Sequence, residues 1–317
     1  MLKLENLGEF GFLDKLSAWI KTRNPRVKVG IGDDALVLTD GTIVSSDAYT
    51  EDIHFSQRYF SPEEIGFKTA GATLSDLAAM GAEPVCLLVN LFAPPDIDVE
   101  FIRRIYAGVE ELTGPLGAEI AGGDTVAAKK ITLSYTALGF TDKPILRSTA
   151  RPGHLLYVSG FPGLSAVGQL ILGMLKKKEG FNEARQKHLR PEPRIGLGIR
   201  LRDTASACVD LSDGLSTDAV ELSKASKVKL IIEYDRLPAH PEVASYTERF
   251  DQNWDSLVLN GGEDFELLFT SADELPSEIT GMPVHRIGSI EEGEGAFLEI
   301  DEDLKPLLSK GYDHFNV

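Results

Sequence analysis

"FSPEEIGFKTAGATLSDLAAMGAEPVCLLVNLFA", residues 60–93, places a helix directly before a strand. Ser61, Pro62 and Glu64 supply a cap, a proline at the first helical position and the reciprocal acid of a capping box, while Gly81 and Pro84 mark the stop. A helix is therefore predicted between them. The run that follows, residues 85–93, is apolar, bounded by prolines and short enough for a strand covered on both faces. Asp76 sits in the C-terminal half of the helix among Leu74, Leu77 and Ala78, where a carboxylate opposes both the helix dipole and burial.

Working outward, a second helix is expected from about Asp98, with Ile102, Ile105, Tyr106, Val109 and Leu112 on one stripe and Gly114-Pro115 as its end. "AEIAGGDTV" (118–126) reads as a strand entering a glycine turn, and "ITLSYTALGF" (131–140) alternates like a half-buried strand. The polar, proline-bearing segment 141–154 reads as a junction, dividing the chain into domains 1–145 and 146–317. Beyond it, "LLYVSG", "VKLIIEY", "SLVLNGG" and "DFELLFTS" read as strands. "GLSAVGQLILGMLKK" (163–177) reads as a helix, and residues 207–226 as strand, turn and helix. Strands mixed with helices in both halves indicate an α/β or α+β arrangement, not a bundle.

The chain of 317 residues is long enough for two cores, and its 43% apolar and 26% charged content is that of an ordinary folded protein. A net charge of −17 repels polyanions, which argues against nucleic acid as a partner. The first residues lack a basic region followed by an apolar core, and no run reaches the roughly 20 apolar residues of a membrane helix. A cytoplasmic protein without a membrane partner is expected. Cys86 and Cys208 are far apart with apolar neighbours, and read as reduced core residues.

Acids recur where apolar segments end in Gly or Ser: "GIGDDALV", "IVSSDAYTEDIHF", "TLSDLAAMGAEP", "AGGDTV", "VDLSDGLSTD" and "NGGEDFELLF". One instance alone is most simply a capped turn; the repetition points to hard oxygen ligands for Mg²⁺, Mn²⁺ or Ca²⁺. No EF-hand spacing is present. Mg²⁺ takes only one or two carboxylates per ion and completes its shell with water and phosphate oxygens, so many aspartates imply several ions shared with a nucleotide. The Walker motif, the protein-kinase motifs and the dinucleotide fingerprint are all missing, and "GIGDDA" breaks the last of these at its second glycine.

"GIGDDALVL", "SSDAYTEDIHF", "LSDLAAMGAEP", "AGGDT", "HLRPEPR", "DLSDGLSTD", "GGEDFELLFT" and "GYDHF" together resemble the thiamine-monophosphate kinases of the aminoimidazole-ribonucleotide-synthetase-like superfamily. The resemblance covers nearly the whole chain in order. It implies a two-domain fold: an N-terminal domain whose sheet pairs across the two-fold of a homodimer, and a C-terminal α/β domain that completes the site. It also implies ATP-dependent phosphorylation of thiamine monophosphate to thiamine diphosphate by direct transfer, with several Mg²⁺ ions.

Matched position by position, the resemblance implies Mg²⁺-binding places at Asp34, Ser45, Ser46, Asp47, Asp76, Asp124, Asp210 and Asp213. Asp76, Asp124 and Asp210 are the central catalytic acids of that set. Nucleotide contacts fall on Gly123, Asp124, Arg147, Ser212 and Tyr106, and substrate-side places on His54, Glu263 and Phe315. Several of these have plainer readings: Tyr106 as core, His54 as a packed or surface histidine, Arg147 as a linker charge, and Phe315 as a terminal docking aromatic. Asp33 reads as a turn-capping neighbour of Asp34. The chain departs from the family pattern at Gly153-His154, where Gly-Asp is usual and no role is assigned, and at Ser46, where threonine is common. Two alternatives stay open: another ATP-dependent enzyme of the superfamily, and a non-catalytic Ca²⁺-binding acidic module.

Overall fold

The computed structural model describes residues 3–174, 180–312 and 314–315. The first half forms one sheet from β1 (Val27–Val29), β2 (Leu36–Leu38), β3 (Thr42–Thr50), β4 (Glu83–Ala93), β5 (Glu119–Gly122), β6 (Thr125–Ala127) and β7 (Thr132–Phe140). Its order is β1-β2-β3-β7-β4-β5, with β6 beside β4. Among the described residues the helices α1 (Gly8–Trp19), α2 (Pro62–Ala79) and α3 (Val99–Thr113) accompany it.

The second half forms another sheet from β8 (Leu155–Ser159), β9 (Ala205–Asp210), β10 (Lys229–Glu233), β11 (Leu267–Ser271), β12 (Glu278–Ile279), β13 (Met282–Glu291), β14 (Gly295–Ile300) and β15 (Asp303–Pro306). The order is β15-β14-β10-β13-β8-β11-β9, with β12 beside β13. Among the described residues this half carries the helices α4 (Leu164–Gly173), α5 (Asn182–Leu189), α6 (Ile195–Leu201), α7 (Leu215–Ser226), α8 (Pro241–Phe250) and α9 (Trp254–Asn260). Both halves therefore mix strands and helices, as the sequence pattern requires.

Helix α2 starts as its sequence dictates. The Ser61 hydroxyl accepts from the Glu64 N–H, and the Glu64 carboxylate accepts from the Ser61 N–H at 2.7 Å. Small residues, Ala70, Gly71, Ala72, Ala78 and Ala79, let it bury nearly its whole circumference, packed against β3 and β7 of the first sheet, α3, α6 and β9. It is the wedge between the two halves. The core around it is continuous: Leu74 and Leu77 share one apolar cluster with Leu87 and Leu133 of the first sheet and with Tyr157, Cys208 and Phe269 of the second. A further cluster, built on Leu156, Val158, Leu230 and Ile232, fills the second half.

Three expectations need correction. "SLVLNGG" is not a strand: Asn253 caps α9 by accepting from the Ser256 N–H at 2.8 Å, and a short apolar run carries no periodicity that separates the two states. β4 is not covered on both faces, because Val85 and Leu88 are exposed on the face away from α2. Cys86 lies only half-buried on β4, whereas Cys208 is fully buried; both are free thiols. The part of the expected helix at 175–177 lies outside the described residues.

Candidate active site

Strand parity decides which side chains of "SSDAY" look inward. β3 pairs with β7 with Ser45 opposite Ala137 and Asp47 opposite Tyr135, so Ser45 and Tyr49 turn to the α2 side, and Ser46 and Ala48 turn away. The Ser45 hydroxyl donates to Asp76 Oδ2. The Tyr49 hydroxyl donates to Asp47 Oδ2 at 3.1 Å and accepts from Thr73 of α2 at 3.3 Å. Ser46, exposed on the opposite face, donates instead to the Tyr135 carbonyl at 3.0 Å.

Asp76 reaches β3 from α2, Asp210 ends β9, and Asp34 precedes β2. From these three separate segments, carboxylate oxygens of Asp34, Asp76 and Asp210 come within 4.8 Å of one another. Arg147 braces the group, its guanidinium donating to Asp34 Oδ1 at 2.5 Å. The brace is itself fixed, since the Arg147 carbonyl accepts from the Ser226 hydroxyl of α7. Asp33 turns the other way and accepts from the backbone N–H groups of Asp34 and Arg147, at 3.1 and 3.3 Å. The doubled acid of "GIGDDALVL" thus divides its work: Asp33 holds the turn, and Asp34 enters the cluster.

One guanidinium does not neutralise these acids. Burial, and then the charges of Asp47, Asp210 and Asp34, push Asp76 well above the usual carboxylate range, even though the Ser45 hydroxyl opposes them. Burial and Asp34 push Asp210 up to about 8, against the pull of Ser75 and Arg147. Asp33 is raised to about 7 by burial and by Asp34. Oδ2 of Asp34, moreover, is buried with no hydrogen-bond partner among the described residues. An orphaned carboxylate oxygen beside two other crowded carboxylates is a donor set for a hard divalent cation.

The cluster opens into a cavity of about 290 Å³. Six acids, Glu9, Asp47, Asp76, Asp210, Asp213 and Glu263, line it, and no lysine or arginine does among the described residues. An anionic substrate can enter such a space only in company with cations. Ser212 and His54 also line it. His54 Nδ1 accepts from the Thr50 N–H at 3.0 Å, and burial together with His314 holds the imidazole below its ordinary range, so it is neutral with its proton on Nε2. Glu263 projects from a residue at φ +62°, a left-handed conformation that places a non-glycine residue under strain.

Five expected site residues lie outside the cluster and the cavity lining, Ser46 on the opposite face of β3 being the first. Gly123 and Asp124 are exposed in the turn between β5 and β6, outside the cavity lining, and Asp124 Oδ1 accepts from the Thr125 N–H at 2.7 Å. Gly123 has a steric reason of its own: at φ +147° an added Cβ would lie 1.9 Å from the Val89 carbonyl oxygen of β4. Tyr106 is half-buried against the first core. Phe315 is exposed and outside the lining, although its neighbours Tyr312 and His314 wall the cavity.

Other wall residues were invisible to motif reading. Glu9 comes from α1 and Gln169 from α4, and no sequence grammar ties either to the acidic turns. "HLRPEPR" and "GGEDFELLFT" meet away from the cluster, where Lys187 and Arg194 pair with the fully buried Glu266.

Comparison with known proteins identifies the family. Residues 32–141 match the family model of AIR synthase related protein, N-terminal domain. Thiamine-monophosphate kinase of Aquifex aeolicus is 35% identical over 99% of this chain and 100% of its own, and that of Bacillus subtilis is 36% identical over 91% and 94%. The chain belongs to the thiamine-monophosphate kinase family. Among solved structures, AaThiL complexed with AMPPCP and TMP superposes with a TM-score of 0.89 at 33% identity, covering 99% of both chains. The hydrogenase maturation protein HypE in complex with ATP shares the fold at a TM-score of 0.68 and 19% identity. The aminoimidazole-ribonucleotide-synthetase-like architecture expected from the motifs is therefore that of this thiamine-monophosphate kinase family member.

Proposed function

We propose that this chain transfers the γ-phosphoryl group of ATP to thiamine monophosphate, yielding thiamine diphosphate and ADP. The observation that carries the reading is the convergence of Asp34, Asp76 and Asp210 beside an acidic cavity that no lysine or arginine lines among the described residues, in a chain that aligns end to end with thiamine-monophosphate kinases.

An oxygen of the substrate's phosphate attacks the γ-phosphorus in line. The bond from that phosphorus to the β–γ bridging oxygen breaks, and ADP departs with the electron pair. The attacking phosphate is largely ionised near neutral pH, its second pKa being about 6, so no side chain has to remove a proton. Asp34, Asp76 and Asp210, with Asp47, Asp213 and the Ser45 hydroxyl, would hold Mg²⁺. When bound, those ions would screen the two anions and stabilise charge on the transferring group.

The chain's own work is placement. Arg147 steadies Asp34, Ser45 aims Asp76, and the Thr73–Tyr49–Asp47 relay fixes Asp47. Gly123, Ser212, Arg147 and Tyr106 are assigned to the nucleotide, and His54, Glu263 and Phe315 to the thiamine side. A homodimer joined through the uncovered face of the first sheet, where Val85, Leu88, Val126 and Phe140 are exposed, belongs to the same reading.

The test is incubation with ATP, Mg²⁺ and thiamine monophosphate, followed by chromatography for thiamine diphosphate. Stoichiometric thiamine diphosphate and ADP support the reading. ATP consumption only with a different acceptor would assign the chain another reaction of the superfamily fold, and tight Ca²⁺ binding without nucleotide binding would make it an acidic binding module.

A further inference from the structure

Lys68 is 1% exposed on α2, and the motifs gave it no role. It lies two helical turns from Asp76, with Ala72 between them on the same stripe, and Ala72 and Asp76 both line the cavity. Its ammonium donates to Glu263 Oε2 at 2.8 Å and sits over the Phe60 ring at 5.3 Å from the centroid. His188 also approaches Glu263 Oε2, at 3.6 Å, but burial and the charge of Lys68 hold its imidazole well below the ordinary range, so it is neutral. Lys68 is therefore the one charged cation paired with Glu263 among the described residues.

The two ends of the cavity differ in kind. One end carries the three-carboxylate cluster, the place for a phosphate accompanied by cations. Lys68 stands eight residues back along α2 from Asp76, about 12 Å of helix axis at 1.5 Å per residue, and its buried ammonium tethers the Glu263 carboxylate of the cavity wall. Thiamine monophosphate has the matching layout, a phosphate anion at one end and a permanently charged thiazolium in the body.

We propose that Lys68 is a positioning residue for the substrate's cationic ring system, acting through Glu263; this rests on the function proposed above. A carboxylate on a strained backbone position in a cavity crowded with acids has few fixed directions of its own. The buried ammonium supplies one. It occupies one oxygen of Glu263 and fixes the direction of the group within the cavity wall. Lys68 touches no reacting atom, so its loss acts on substrate affinity and not on the transfer step.

The experiment is steady-state kinetics, with calorimetric titration of thiamine monophosphate, on the wild type, Lys68→Met, Glu263→Gln and the double variant. Lys68→Met is expected to raise KM for thiamine monophosphate and weaken its calorimetric binding at least tenfold, with kcat and the KM for ATP within threefold. The double variant should be no worse than the weaker-binding single variant, because both changes break one tether.

A KM for thiamine monophosphate within twofold of wild type in Lys68→Met, or a double variant that multiplies the two single effects, would overturn the proposal. If Lys68→Met does not fold, Lys68→Gln carries the same test with the same expectation. If neither folds, the lysine serves the fold and the proposal fails. A wild-type protein that makes no thiamine diphosphate defeats the functional reading first, and that control separates the two failures.

Discussion

Replacing Asp210 by asparagine removes one charge from the cluster while keeping its shape and an acceptor oxygen. Two unit charges 4.8 Å apart, the outer limit for the Asp34, Asp76 and Asp210 oxygens, repel by about 3.5 kcal/mol at an effective dielectric of about 20. Arg147, paired with Asp34, offsets part of this. Asp210→Asn should therefore stabilise the metal-free protein by about 1–3 kcal/mol when Asp210 is ionised, a rise in Tm of roughly 2–5 °C for a chain of 317 residues.

The pH dependence has a definite sign. Asp210 is raised from 3.8 to about 8 by burial and Asp34, so the folded state keeps a proton that the unfolded chain has lost, and wild-type stability falls as pH rises across that window. In EDTA the variant should match wild type near pH 4 and exceed it above pH 8. Mg²⁺ should raise the wild-type Tm far more than that of the variant. Differential scanning calorimetry at both pH values, with EDTA and with MgCl₂, reads all four quantities. An Asp210→Asn protein less stable than wild type in EDTA at high pH, with an undiminished Mg²⁺ shift, would refute the reasoning.

Glu266 makes the opposite acid-side prediction. Burial pushes its pKa up, but Lys187 and Arg194 overcome this and hold it at about 2, below its ordinary 4.5, so about 3 kcal/mol of stability should be lost as pH falls from about 4.5 to 2. Glu266→Gln should abolish that part of the acid-unfolding slope and lower stability at pH 7 by about 3–5 kcal/mol, because two buried cations lose their partner; chemical denaturation at a series of pH values measures both. Gly123→Ala should destabilise by roughly 3 kcal/mol or more, since its Cβ meets the Val89 carbonyl at 1.9 Å; a denaturation midpoint within error of wild type would show that the turn yields freely.

How much the sequence revealed depended on how local the cause was. The α2 cap was legible because Ser61 and Glu64 act within one turn. The strand–turn–helix at 207–226 was legible because its apolar residues stop at a Ser-Asp-Gly turn. Residues 256–260 were misread because "SLVLN" has no periodicity long enough to separate strand from helix, and the deciding cap, Asn253, lies outside the apolar run.

Within the site, each of the cluster's acids stood out as a charge misplaced among apolar neighbours, and desolvation makes such residues conspicuous. Which of them converge is a tertiary matter. Parity along β3 turns Ser45 toward Asp76 and Ser46 away from it, and the sequence shows that only once the strand's covered face is known. Lys68 was missed although it shares a helical stripe with Asp76, because its partner Glu263 is 195 residues away. Arg147 looked like a linker charge for the same reason, its partner Asp34 lying 113 residues upstream.

The central claim, that clustered carboxylates bind triphosphate only through divalent ions, is tested most directly by isothermal titration of a non-hydrolysable ATP analogue into the wild-type protein with Mg²⁺ and with EDTA. Binding in Mg²⁺ that disappears in EDTA is the expected result. Equal affinity in both would mean that the nucleotide is held without metal, and the cluster of Asp34, Asp76 and Asp210 would lose its assigned task.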